Sequence, residues 1–141
     1  MGTSMGGCVA LNYAAQAPAE IKDKITGIVS VEGAGDLGQL YNMTKSPAVQ
    51  VGLIGAFGGT PLQLPEIYAK KSLFANMASL PAHIKVAVVS ARKDDIVPKD
   101  LQKDLVHKLE EKNIPAKLIE IDGGHRVPAA PVYQEALDFV L

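Results

Sequence analysis

The chain has 141 residues, of which 14 are basic and 15 acidic, so its formal net charge is −1. A chain with this net charge has no excess of basic residues to bind nucleic acids or anionic membranes, so we expect neither nucleic acid nor membrane as a partner. A single cysteine excludes a disulfide framework and a cysteine-based zinc cluster. No apolar run approaches the roughly 18 residues of a spanning helix. No basic segment precedes an apolar one as in a signal peptide, so a cytoplasmic location is the default expectation.

Periodicity and turn residues predict alternating helices and strands. Met5–Gln16 is rich in small and apolar residues and ends near Pro18, which favours a buried helix. Ile25–Glu32 is a short β-branched run, which predicts a buried strand. Residues 36–80 are interrupted by several prolines and glycines, and they predict an irregular insertion of short helices.

The second half of the chain continues this alternation. Ile84–Ser90 and Ala116–Ile121 are β-branched runs that predict two further strands. Between them, Lys99–Lys112 places apolar residues on one face and charge on the other, which predicts an amphipathic helix with Asn113 as its stop. A closing helix is predicted over Ala129–Leu141.

Strands separated by helices predict the α/β class, with about three parallel strands and flanking helices. No repeat or linker divides the chain, so residues 1–141 are expected to form one unit. No strand is predicted before the first helix, and three strands make a narrow sheet, which is typical of one half of a larger fold. The strand over Ile25–Glu32 then has an unpaired apolar edge, which favours self-association.

Gly2-Thr3-Ser4-Met5-Gly6 fits the G-x-S-x-G nucleophile elbow. The motif places the serine in a tight turn before a helix, and its glycines remove Cβ atoms that would clash across the turn. The start of the helix directs N–H groups at this point, so the Met5 N–H is a candidate oxyanion donor. The alternative is a glycine-rich helix start at which Ser4 is only the cap.

Two further candidate groups follow predicted strands. Asp94 and Asp95 come after Ile84–Ser90, at the edge where parallel sheets build their sites. There a carboxylate either orients an imidazole or only caps the next turn. His125 follows the third strand after a glycine turn, and it is either the base that takes the Ser4 proton or a solvated loop residue.

In this chain order, serine, aspartate and histidine resemble the triad of the α/β-hydrolases. Within them, the sequence resembles the C-terminal half of the catalytic domain of the prolyl oligopeptidase family and its esterase relatives. Leu73 departs from the pattern, because that family usually has proline after the preceding serine. The segments that carry the resemblance are GTSMGG (2–7), VEGAGDL (31–37), GGTP (58–61), PEIY (65–68), KSL (71–73), ARKDDIVP (91–98) and GGH (123–125).

The resemblance implies a serine hydrolase that cleaves a small carboxylic ester or a peptide-like amide through an acyl-enzyme, without a cofactor. Ser4 matches the nucleophile, His125 the base and Asp94 the acid. Asp94 is preferred to Asp95 because the family places its acid three residues after a small residue, here Ala91. No metal site is expected, because the three histidines are far apart in sequence and lack clustered carboxylates.

The alternative is a non-catalytic half-domain or truncated fragment that needs its missing N-terminal half or a partner. The family's upstream strands, any N-terminal domain and the loop with the second oxyanion N–H are expected to be absent. We therefore expect the 141-residue chain alone to be inactive or weakly active.

Several other residues have two interpretations. Glu32 either lines the pocket or forms a turn, and Cys8 is expected to be a small core residue rather than a second nucleophile. Four side chains of the insertion either shape a substrate pocket or pack in the core: Tyr41, Phe57, Leu62 and Leu64.

Overall fold

The computed structural model describes all residues, Met1–Leu141. Strands and helices alternate along the chain, and none of the helices has both the length and the apolar character needed to cross a bilayer. The strands are β1 (Gly2–Thr3), β2 (Gly27–Val31), β3 (Lys85–Ala91) and β4 (Ala116–Ile121). The helices are α1 (Met5–Gln16), α2 (Ala19–Lys22), α3 (Leu37–Met43), α4 (Pro47–Phe57), α5 (Pro65–Lys70), α6 (Leu73–Asn76), α7 (Lys99–Glu111) and α8 (Ala130–Val140), with a 3₁₀ turn at Met77–Ser79.

The strands form one parallel sheet in the order β1-β2-β3-β4. Alternate residues of each strand face opposite sides, and both sides are apolar. Ile28 and Val88 lie in the core cluster shared with α1, α6 and α7. Val29 and Val89 lie in the cluster shared with α8. The helices therefore cover both faces of the sheet, and the predicted α/β class is confirmed. Each fully buried side chain of this size stabilises the fold by about 1.5–3 kcal/mol.

The insertion at residues 36–80 consists of short helices, as predicted. Its Tyr68 packs in one apolar cluster with Cys8 of α1, and so joins the insertion to the start of that helix. The link between α3 and α4 contacts the segment after β3, because the Thr44 hydroxyl donates to the Ile96 carbonyl at 2.7 Å. The insertion therefore supports two segments at the carboxyl edge of the sheet.

The fourth strand, β1, was not predicted. Gly2 and Thr3 pair with Ser30 and Val31 of β2, but two residues are too few to show any periodicity. The expectation that no strand precedes the first helix is wrong, and the predicted free edge is shorter than expected. Residues 27–29 of β2 still have no strand partner on that side.

Self-association through this edge stays a prediction. On α1, which packs against β1 and β2, the exposed side chains of Met5, Val9 and Tyr13 are four residues apart and form an apolar stripe. If copies associate through this edge and bury the α1 stripe between them, Val9→Lys is expected to weaken the dimer about tenfold, because burying the ammonium group is costly. Sedimentation equilibrium measures the change.

Val51→Lys on α4 is the matched control, because Val51 is 68% exposed and Val9 60% exposed. A monomeric wild type, or equal weakening by both variants, would contradict association through this edge.

Candidate active site

Ser4 lies in the tight turn between β1 and α1. Its φ of 55° and ψ of −120° are angles that glycine adopts more readily than any residue with a side chain. The Ser4 N–H donates to the Val31 carbonyl at 2.7 Å, and the Ser4 carbonyl accepts from the N–H of Cys8 at 3.2 Å, so neighbouring segments hold the turn. The Ser4 side chain makes no capping hydrogen bond, so the cap-only interpretation is wrong.

The two motif glycines have unequal roles in this turn. A Cβ atom on Gly2 would overlap the carbonyl group of Gly6, whereas a Cβ atom on Gly6 would meet no other atom. The predicted clash is therefore confirmed for Gly2 and wrong for Gly6. Gly6 takes part through its backbone, which approaches Gly2 closely.

Met5 is the first residue of α1, so its N–H has no acceptor within the helix. The positive end of the helix dipole lies at the same place. This N–H follows Ser4 directly and is available to an anion that forms there.

Asp94 lies in the loop between β3 and α7, where it is 5% exposed. Its Oδ1 accepts hydrogen bonds from the N–H groups of Ile96 at 2.9 Å and Val97 at 2.8 Å. Its Oδ2 lies 2.8 Å from Nδ1 of His125. One carboxylate therefore both shapes the turn and contacts the imidazole, while Asp95 is exposed and lies outside this contact.

His125 connects Ser4 with Asp94. It follows β4 in a loop whose turn includes Gly123 with a φ of 99°, and its Nε2 lies 2.8 Å from Ser4 Oγ. An ionised carboxylate can only accept, so this contact suits the tautomer in which the His125 N–H is at Nδ1 and donates to Asp94. Nε2 is then free to accept the Ser4 hydroxyl proton. The fold thus brings the three predicted side chains into one chain of hydrogen bonds.

Glu32 also belongs to the site, although the sequence left its role open. It is fully buried, and its Oε2 lies 3.3 Å from Nδ1 of His125. The Arg126 N–H is shared between its two oxygens at 3.1 and 3.3 Å. Burial raises the pKa of Glu32, although the Arg126 N–H and His125 act in the opposite direction. An acidic residue at the end of a buried apolar strand was the sequence signal for this contact.

Glu32, Asp94 and His125 offer donor atoms that lie within 4.8 Å of one another. Both ring nitrogens of His125 already face protein partners, at 2.8 Å each. A metal ion at Nδ1 would replace the proton of its hydrogen bond to Asp94, so the arrangement fits proton transfer better than metal binding. The lack of a metal site stays a prediction.

The remaining candidates lie outside this chain of hydrogen bonds. Tyr41 and Phe57 pack edge-on against Tyr68, at centroid distances of 6.4 and 4.8 Å, so they stabilise the insertion. Leu62 is 92% exposed. Cys8 is buried, and burial raises the pKa of its thiol, which keeps it protonated and weakly nucleophilic.

Comparison with protein families identifies the group to which the chain belongs. A family model described as "Serine hydrolase (FSH1)" matches residues 1–137. The chain belongs to the FSH1 serine hydrolase family. No curated protein matches the sequence of the chain.

Solved structures share its fold. The puromycin-hydrolyzing peptidase of Mycobacterium tuberculosis is 22% identical with a TM-score of 0.79, over 97% of this chain and 20% of that chain. The acylaminoacyl peptidase of Pyrococcus horikoshii is 18% identical with a TM-score of 0.70, over 88% and 19%. The S-formylglutathione hydrolase (FrmB) of Staphylococcus aureus is 15% identical with a TM-score of 0.61, over 97% and 49%.

The chain thus spans about a fifth of the two peptidases and about half of the S-formylglutathione hydrolase. At these identities, the likeness to solved structures concerns the fold alone. The family model and the fold together confirm the predicted α/β-hydrolase serine hydrolase.

The variants Gly2→Ala and Gly6→Ala form a matched pair. Gly2→Ala is expected to lower the free energy of unfolding by about 1–3 kcal/mol, because the new Cβ meets backbone that cannot move away. Gly6→Ala is expected to be neutral or to stabilise α1 by up to about 1 kcal/mol. Urea unfolding measures both, and equal destabilisation would contradict the unequal roles.

Glu32 gives the fold a pH dependence whose sign follows from burial. Because its folded-state pKa is raised, the folded protein binds more protons than the unfolded chain between the usual glutamate pKa and the raised one. The free energy of unfolding therefore falls as pH rises through that window.

Glu32→Gln removes this titrating group, and it is expected to reduce the decrease in the free energy of unfolding as pH rises. Urea unfolding from about pH 4 to about pH 8 measures it, with Glu20→Gln as a control at an exposed glutamate. An unchanged pH slope in Glu32→Gln would show that Glu32 is not the source.

Proposed function

We propose that this chain carries the reactive centre of a serine hydrolase that cleaves a carboxylic ester or a peptide-like amide through an acyl-enzyme. The pair of contacts at His125 supports the proposal: Nε2 lies 2.8 Å from Ser4 Oγ, and Nδ1 lies 2.8 Å from Asp94 Oδ2. A neutral imidazole held in this way is a base suited to activating a hydroxyl group.

In the first half of the reaction, Ser4 Oγ attacks the carbonyl carbon and its proton passes to His125 Nε2. The Met5 N–H donates to the oxyanion of the tetrahedral intermediate. Asp94 accepts from Nδ1 and stabilises the imidazolium. The intermediate then expels an alcohol or amine, which takes the proton from Nε2 and leaves the acyl group on Ser4.

In the second half, His125 removes a proton from a water molecule, which attacks the acyl carbon. The new intermediate expels Ser4 Oγ, which recovers its proton from Nε2, and the carboxylic acid leaves. No cofactor takes part in either step. Esters are the favoured substrates because an alkoxide leaves more readily than an amine. Two fold neighbours are named peptidases, which keeps peptide-like amides within the proposal.

A non-catalytic half-domain that needs a partner is the second candidate. It is favoured by the unpaired backbone of residues 27–29 in β2 and by an oxyanion site with one identified donor, Met5. The loss of one oxyanion donor typically costs about 10²–10³ in rate. We therefore expect weak ester turnover by this chain alone.

A fluorophosphonate probe tests the proposal, because its phosphorus is attacked by an activated serine hydroxyl. We expect covalent labelling at Ser4, identified by peptide mass spectrometry, and none in Ser4→Ala. His125→Ala is expected to slow labelling at least about 10³-fold, because the base is lost.

Two matched control variants distinguish loss of the Ser4–His125–Asp94 hydrogen bonds from a nonspecific effect of substitution. His107→Ala changes an exposed histidine on α7, and Asp95→Asn changes an exposed neighbour of Asp94, so both are expected to label like the wild type. A folded wild type that does not label, or that labels equally in Ser4→Ala, would favour the non-catalytic role.

A further inference from the structure

Glu32 is a second carboxylate at His125, and it takes no part in the chain of hydrogen bonds from Ser4 through His125 to Asp94. Its side chain is fully shielded from solvent, and its Oε2 lies 3.3 Å from the same Nδ1 that donates to Asp94. It comes from the end of β2, whereas Asp94 comes from the loop after β3. Two independent segments therefore direct a carboxylate at one ring nitrogen.

The backbone at Glu32 is also unusual. Three non-glycine residues have positive φ angles: Ser4, Glu32 and Asn113. Asparagine adopts such angles readily, and Asn113 lies just after the C-terminal cap of α7. For serine and glutamate they are strained, and strain of about 1–3 kcal/mol persists only where the surroundings impose it. Both strained residues lie at His125.

The two carboxylates differ in their remaining hydrogen-bonding capacity. Asp94 Oδ1 is occupied by two backbone N–H groups, and Asp94 Oδ2 by His125. The one hydrogen-bond donor to the Glu32 carboxylate is the Arg126 N–H, and Nδ1 of His125 lies 3.3 Å from Oε2 without a hydrogen bond. An ionised carboxylate has about four acceptor positions, so Glu32 has capacity left for the imidazole.

We propose that Glu32 is a positioning residue for His125, a second acid that lies beside the Nδ1 proton held by Asp94 and accepts that proton when Asp94 is removed. The inference rests on the proposed hydrolase function, since it concerns the same imidazole. Glu32 then favours the tautomer that leaves Nε2 free for Ser4, and it acts through His125 without touching the substrate.

A purely structural role is the competing explanation, because Glu32 also fixes the histidine loop by accepting from the Arg126 N–H. Glutamine separates the two roles, since its amide oxygen still accepts that N–H but provides no negative charge. Glu32→Gln thus keeps the structural contact and removes the acid.

The test uses the full chain with Asp94→Ala, alone and combined with Glu32→Gln. By NMR, the His125 Nδ1 proton, shifted downfield by a carboxylate acceptor, is expected to persist in Asp94→Ala and to disappear in the double variant. Fluorophosphonate labelling is expected to fall about 10²-fold in Asp94→Ala and about 10⁴-fold in the double variant, the loss expected when no acid remains. Glu32→Gln alone is expected to label within about tenfold of the wild type, because Asp94 remains.

The proposal is overturned if Asp94→Ala loses the Nδ1 signal while folded, or if the single and double variants label at equal rates. Should Asp94→Ala not fold, Asp94→Ser keeps a short acceptor for the turn and undergoes the same comparison. The NMR signal does not depend on a reactive serine. A wild type that resists the probe would therefore count against the hydrolase function, while the signal would still decide the role of Glu32.

Discussion

The parallel direction of the four strands is the constraint on which the site depends, because it brings every carboxyl end to one edge of the sheet. β1 and β2 are followed directly by Ser4 and Glu32, β3 is followed three residues later by Asp94, and β4 four residues later by His125. Three segments thereby place polar groups around the imidazole that the fourth segment carries. Ser4 and His125 can touch although 121 positions separate them in the sequence.

Burial makes this arrangement of carboxylates energetically costly. A buried carboxylate is tolerated only when its oxygens find donors, and Asp94 meets this condition with two backbone N–H groups and an imidazole. Glu32 accepts from a single backbone N–H, and burial raises the pKa of its carboxyl group. The strained φ angles of Ser4 and Glu32 lie in the same place. The site therefore concentrates both electrostatic cost and backbone strain, as reactive sites commonly do.

Backbone hydrogen bonds between loops maintain the distances between Ser4, His125 and Asp94. The Lys93 N–H donates to the Gly123 carbonyl at 2.9 Å, which joins the acid loop to the histidine loop. The Lys45 N–H donates to the Asp95 carbonyl at 2.9 Å, which joins the insertion to the acid loop. Proton transfer tolerates errors of only about 0.5 Å in the position of its groups. These cross-links explain how residues on loops keep such distances, and they give the insertion a role in supporting the site.

Local signals in the sequence determined most elements and named the central residues. α1 and β4 begin and end where predicted, since apolar periodicity and flanking prolines act over short distances. The glycine turns likewise pointed to Ser4 and His125. Only the tertiary structure decided that β1 is a strand, that Gly6 needs no clearance for a Cβ, and that Glu32 faces His125. Each of these depends on a contact or on space that the folded neighbours create. No local pattern in the sequence records such a contact, because the partner lies on another segment.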